Sequence, residues 1–131
     1  MITSISQLEI TSKCNLRCVY CPQPSLVRPK DHMPEDVFER TLYWLAEFQQ
    51  PLVHLHHFGE STMHPKFLEM VDRISDIVPD VRVSSNGVGV TREMVQGMKD
   101  AGLTMLALSI HRPEVVQKTA EYCIEVGLPY E

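Results

Sequence analysis

The feature that most constrains this chain is a rhythm. A short run of alternating apolar residues, a turn and an amphipathic helical run repeat from one end to the other. Ser6 to Thr11 (SQLEIT) has the pattern of a strand. Met33-Pro34 then opens a helical stretch, with Pro34 suited to a first turn and Val37, Leu42, Leu45 and Phe48 as its apolar stripe. Leu52 to Phe58 (LVHLHHF) is a second strand, and Pro65 opens a helix with Leu68, Val71, Ile74 and Val78 on one face. Val81 to Ser85 (VRVSS) is a third strand, closed by the turn pair Asn86-Gly87. Thr91 is placed to cap a third helix and Gly102 to end it. Met105 to Ile110 (MLALSI) is a fourth strand, and a helix runs from Pro113 to near Gly127. Val126-Gly127-Leu128 repeats the helix end Ala101-Gly102-Leu103, so Leu128 to Glu131 is expected to begin a fifth strand. Such β–α alternation implies an α/β fold with a parallel sheet covered by helices. No boundary divides residues 1–131, which read as one domain.

A parallel strand buried on both faces is apolar nearly throughout. These strands alternate instead. Gln7 and Glu9 share a face, as do His54 and His56, Arg82 and Ser84, and Ser109 and His111. The opposite faces carry Leu8 and Ile10, Val53 and Leu55, Val81 and Val83, and Leu106, Leu108 and Ile110. The apolar faces pack on helices, and the polar faces line a wet concavity inside a curved sheet. The competing arrangement is an open sheet with one face partly in water.

Bulk properties narrow the functional classes. The chain has 131 residues, 44% of them hydrophobic and 22% charged, an ordinary globular composition. Its net charge of −5 lacks the basic footprint of a nucleic-acid binder. No apolar run approaches the roughly 20 residues of a membrane span. Met1 to Ile10 has no basic segment leading into an apolar one, so the cytoplasm is the expected compartment.

Three of the four cysteines fall between Cys14 and Cys21, in the loop after the first strand. In a reducing compartment such crowding points to a metal site rather than to disulfides. Three thiolates can hold three irons of a [4Fe–4S] cube, leaving the fourth iron for a non-protein ligand. The alternative is a structural zinc completed by a histidine such as His32.

The stretch Glu9 to Pro22 (EITSKCNLRCVYCP) resembles the signature of the radical S-adenosylmethionine (SAM) enzymes in its cysteine spacing, its Cys-Asn-Leu-Arg-Cys context and the aromatic before the third cysteine. That resemblance implies that Cys14, Cys18 and Cys21 bind a [4Fe–4S] cluster and that Tyr20 lies on the adenine side of SAM. Phe58-Gly59-Glu60-Ser61 resembles the family's Gly-Gly-Glu-Pro segment, with Phe58 and Ser61 as departures, and implies contact of Gly59 and Glu60 with the SAM amino group. Glycine permits close backbone approach and a carboxylate accepts charge-assisted hydrogen bonds from an ammonium. Ser84 to Gly87 resembles the family's Thr-Asn-Gly turn, assigning Asn86 to the cofactor pocket. Leu108 to His111 resembles Ser-Ile-Asp-Gly, with Ser109 toward the SAM carboxylate or ribose and His111 in place of the usual aspartate.

The implied fold is a partial (β/α) barrel of parallel strands, about four βα units plus the start of a fifth strand. The implied activity is reductive cleavage of SAM to a 5′-deoxyadenosyl radical that abstracts hydrogen from a substrate, with a peptide or protein suggested by the branch of closest flavour. An electron donor such as flavodoxin or ferredoxin is the implied partner, with Lys13 and Arg17 available to attract an acidic one. Two rivals stand beside this: a non-catalytic zinc module at the same cysteines, and a truncated barrel that binds cluster and SAM without turnover. His54, His56 and His57 are read as polar lining of the cavity, and Cys123, spaced helically with Val116 and Ala120, as an inert buried cysteine. An incomplete barrel leaves an open strand edge, so residues 1–131 are expected to be either a fragment of a longer protein or a small form that completes its sheet with a partner, and in isolation to self-associate near Tyr130.

Overall fold

The computed structural model describes residues 4–131. Three parallel strands form its sheet: β1 (Leu52–His54), β2 (Asp80–Ser85) and β3 (Met105–Leu108), in the order β1-β2-β3. Val53 pairs with Val81, and Val83 with Leu106. Further segments extend the sheet at each side through single parallel bridges, Gln7 to His54 and Leu106 to Tyr130. The expected first and fifth strands are therefore present in the expected places, each reduced to one bridge. The Leu106 N–H donates to Pro129 O (3.0 Å) and the Glu131 N–H to Leu106 O (3.1 Å), so β3 is paired on both sides and is not the edge that was expected. The second strand is also shorter than expected, though the Leu55 N–H still donates to Arg82 O at 2.8 Å.

Helix α1 (Glu35–Glu47) precedes β1, and α2 (Phe67–Ser75), α3 (Arg92–Asp100) and α4 (Pro113–Val126) follow β1, β2 and β3 in turn. In α1, Glu35 and Asp36 occupy the first turn, where carboxylates favour the helix dipole. Its buried stripe is Phe38, Leu42 and Leu45; Val37 and Phe48 are only half-buried. Phe38 and Leu45 are 1% and 0% exposed, and each contributes roughly 1.5–3 kcal/mol by leaving water. Helix α2 starts two residues after Pro65, behind a 3-10 turn at Ser61–Met63, and buries Phe67, Met70, Val71 and Ile74 while Leu68 is partly buried. Thr91 caps α3 by accepting from the Met94 N–H at 3.2 Å. Gly102 (φ 89°) and Gly127 (φ 74°) adopt the left-handed conformation that ends a helix.

One core joins the helices to one face of the sheet. Val53, Leu55, Val81, Val83 and Leu106 are fully buried in it, together with residues of all four helices. On the opposite face His54, His56, Arg82 and Ser84 remain half-buried. Ile110 breaks the alternation: β3 ends at Leu108, and Ile110 is 75% exposed in the following turn. Cys123 is fully buried in α4, as its helical spacing requires. Among the described residues no helix is long and apolar enough to cross a membrane.

Candidate functional site

The cysteine loop is closed at its neck. Thr11 and His32 form an antiparallel bridge, the Ser12 N–H donates to Asp31 O (2.9 Å), and the Met33 N–H donates to Ile10 O (2.8 Å). Inside the neck the buried Gln23 side chain donates to Ser12 O at 2.7 Å. A tight turn, Cys21 N–H to Cys18 O at 3.0 Å, brings the last two cysteines together. The Gln23 N–H then points at Cys21 Sγ from 3.5 Å. Arg28, further along the loop, pairs with Glu9 Oε1 at 2.5 Å, and the other oxygen of Glu9 accepts from the Phe58 N–H at 3.1 Å.

The strand ends meet this loop. Gly59 has no room for a side chain: a Cβ there would lie 1.9 Å from Thr11 O and 2.9 Å from Lys13 O. The adjacent Glu60 N–H donates to Lys13 O at 2.8 Å. The glycine thus serves the approach of the cysteine loop itself, a use that its resemblance to a cofactor-contacting residue does not reveal. Glu60 is 3% exposed and pairs with no cation among the described residues. Its Oε2 accepts from the Asn86 N–H (2.9 Å) and its Oε1 from the Thr62 hydroxyl (2.7 Å). The Ser61 hydroxyl donates to Leu55 O, holding the exit of β1 where the family carries proline. At the end of β2 the Asn86 side chain donates to Asn15 Oδ1 (2.8 Å), and Asn15 in turn donates to Val88 O (3.0 Å). At the end of β3, His111 Nδ1 lies 2.7 Å from the Tyr20 hydroxyl and 3.9 Å from Cys18 Sγ.

A cavity of about 290 Å³ opens between loop and strand ends. Cys14, Cys18, Cys21 and Tyr20 line it from the loop, and Gly59, Glu60, Asn86, Ser109 and His111 from the sheet. Every residue assigned to the cluster or to SAM in the sequence therefore lines one space. His56, His57 and Phe58 complete its wall. His54 does not reach it; with His56 it lines a second cavity of about 430 Å³ lower on the same face. Asn15, Gln23 and Glu9 escaped the sequence reading as site residues. Asn15, within Cys-Asn-Leu-Arg-Cys, carried the only available signal.

Burial pushes the Cys14 thiol up, the Leu16 backbone opposes this, and Glu60, Cys18 and Cys21 reinforce it. Burial, then His54 and His57, holds His56 below the usual imidazole range, and its buried Nδ1 has no hydrogen-bond partner among the described residues. Lys13 is paired with Asp31 at 3.3 Å, and Arg17 is exposed on the loop.

Three thiols match the number of protein ligands of an iron–sulfur cube with one open iron. His32, the proposed fourth zinc ligand, packs edge-on against His64 with ring centroids 4.9 Å apart, outside the cavity. A single zinc needs its donors within about 2.3 Å of one point. Among the described residues no three His, Cys, Asp or Glu side chains converge in that way. A cube spreads three thiolates over three irons and leaves one iron free, and a buried acceptor, Glu60, lies across the same cavity.

Comparison with known proteins agrees with this geometry. Over 121 residues the chain is 30% identical to the tungsten-containing aldehyde ferredoxin oxidoreductase cofactor-modifying protein of Pyrococcus furiosus, covering 92% of this chain and 33% of that protein. It is 33% identical over 108 residues to the PqqA peptide cyclase of Bradyrhizobium diazoefficiens, covering 82% and 28% respectively. The chain thus spans about a third of the length of these relatives. The crystal structure of BtrN in complex with AdoMet and 2-DOIA superimposes with a TM-score of 0.76 at 20% identity, over 85% of this chain and 47% of BtrN, which establishes the shared fold. The family model described as the radical SAM superfamily matches residues 8–118, the span from the first segment of the sheet into α4 that carries every residue of the cavity, and the chain belongs to that superfamily, whose members work with a [4Fe–4S] cluster and SAM.

Proposed function

We propose that Cys14, Cys18 and Cys21 hold the [4Fe–4S] cluster and that Tyr20, Gly59, Glu60, Asn86, Ser109 and His111 receive SAM in the same cavity. The observation that carries this is the shared space: three thiols on one wall and the buried Glu60 on another, at the C-terminal ends of parallel strands. Ligands of α/β folds bind at that end. When bound and reduced, the cluster and SAM together supply a 5′-deoxyadenosyl radical that abstracts hydrogen from substrate.

The chain's own residues orient and shield. Glu60, 3% exposed, accepts from the SAM ammonium in a site where a charge-assisted hydrogen bond is strong. The Asn86 N–H, held on Glu60 Oε2 at 2.9 Å, fixes the carboxylate in place. Ser109 supplies a hydroxyl on the β3 side of the cavity. The polar wall below, with His54 and His56, faces the substrate. Similarity to a peptide cyclase supports a peptide or protein substrate. An acidic flavodoxin or ferredoxin, attracted by Arg17, is the proposed donor.

The test is anaerobic reconstitution followed by iron and sulfide analysis and a search for 5′-deoxyadenosine after reduction with dithionite. About four irons per chain and SAM-dependent 5′-deoxyadenosine support the proposal. One zinc per chain, or four irons without SAM binding, overturns it.

A further inference from the structure

Tyr20 and His111 join the cysteine loop to the exit of β3 across a sequence separation of 91. The phenol oxygen lies 2.7 Å from His111 Nδ1, and the rings stack with centroids 5.8 Å apart and 28° between planes. Tyr20 is 73% exposed, so packing alone does not fix its ring. His111, by contrast, stands on an anchored turn: its N–H donates to Ser109 O, and the Ser109 N–H donates to Ser85 O, both at 2.9 Å. The anchored partner therefore holds the exposed one. An aspartate at position 111 lacks the ring that stacks here.

We propose that His111 is a positioning residue: its Nδ1 accepts the Tyr20 O–H, and this hydrogen bond holds Tyr20 in place as the preformed adenine-side wall of the cavity. This rests on the SAM-binding proposal above, in which Tyr20 lies on the adenine side. An exposed phenol left free must be ordered when a ligand arrives, and the immobilisation of one such side chain weakens binding by about three- to tenfold. His111 orders it beforehand.

The experiment uses the reconstituted chain and the variants H111F, which keeps a ring without a nitrogen, H111Q, which keeps an acceptor, Y20F, and Y20F/H111F. Affinities are measured for SAM, for 5′-methylthioadenosine, which has the adenine end alone, and for methionine, which has the other end. Iron content and melting midpoint are recorded for each variant. The expected result is a loss of about three- to tenfold for both adenine-bearing ligands in H111F and in Y20F. The double variant should be no worse than either single one. H111Q should recover most of the affinity, while methionine binding, iron content and midpoint stay as in the wild type. Unchanged 5′-methylthioadenosine affinity in H111F, additive losses, or an equal loss for methionine overturns the role of His111 and leaves the SAM site standing. Failure of the wild-type chain to bind SAM overturns both.

Discussion

Gly59→Ala is the substitution on which this site is most exposed. The added Cβ would sit 1.9 Å from Thr11 O, 2.7 Å from Thr11 C and 2.9 Å from Lys13 O. These are backbone atoms, so no side-chain rotation relieves the clash. The loop neck must retreat by roughly 1–1.5 Å to reach ordinary contact, an overpacking that costs about 1–3 kcal/mol. The retreat also strains the hydrogen bond from the Glu60 N–H to Lys13 O, now 2.8 Å, which is worth about 0.5–1.5 kcal/mol. The combined loss of roughly 2–4 kcal/mol corresponds to a fall in melting midpoint on the order of 10 °C. Cys14 follows Lys13 directly, so the displacement also moves the first thiol relative to the other two. Thermal unfolding of the unloaded protein by circular dichroism and iron content after anaerobic reconstitution are the assays. A variant that melts within about 2 °C of the wild type, well inside the shift expected from the clash, and loads the same iron would refute the claim that loop and glycine are in obligatory contact.

Other expectations follow from the same geometry. Replacing Cys14, Cys18 or Cys21 by alanine should abolish the cluster while Cys123→Ala keeps it, as read from iron per chain; retention in Cys18→Ala with loss in Cys123→Ala would reverse the assignment. Glu60→Ala should weaken SAM binding by roughly ten- to a hundredfold in calorimetry, and should also destabilise the unloaded protein by about 1–3 kcal/mol because the buried Asn86 N–H loses its acceptor. Burial, then neighbouring histidines, depresses both His56 and His64. A depressed imidazole leaves the unfolded chain binding more protons, so this stability is complete above the unfolded value near 6.5 and declines as pH falls below it. The urea midpoint should therefore be lower at about pH 5.5 than at about pH 7.5, and less so in H56Q/H64Q; equal midpoints in the wild type would contradict the burial argument.

The architecture was legible because its signals are local. Pro34, Thr91, Gly102 and Gly127 mark helix ends by their own backbone preferences, and the period-two alternation of Val81, Val83 and their neighbours separates core from cavity without reference to the rest of the chain. Where two apolar residues adjoin, as Val37 and Phe38, periodicity does not choose between them; the bulkier ring took the core. Ile110 was misplaced because an apolar letter after a strand carries no information on where pairing stops. The cysteine spacing and the order of the strand-end motifs were enough to name the cavity residues. Their mutual contacts were not, since Asn15 to Asn86, Glu9 to Arg28 and Tyr20 to His111 depend on how a long loop folds back over the sheet.

The loop's attachment to the ends of all three strands, through Glu60, Asn86 and His111, has a consequence for the order of events during maturation. A segment tethered at a single point can gather iron while the rest of the chain is still unfolded. Here Lys13 rests on Glu60, Asn15 on Asn86 and Tyr20 on His111, and these anchors come into register only once β1, β2 and β3 have paired. Parallel pairing is itself late, because each strand waits for the helix that separates it from the next. The three thiols are therefore brought to one cavity only by the paired sheet, and an unfolded chain carries them on an unanchored loop.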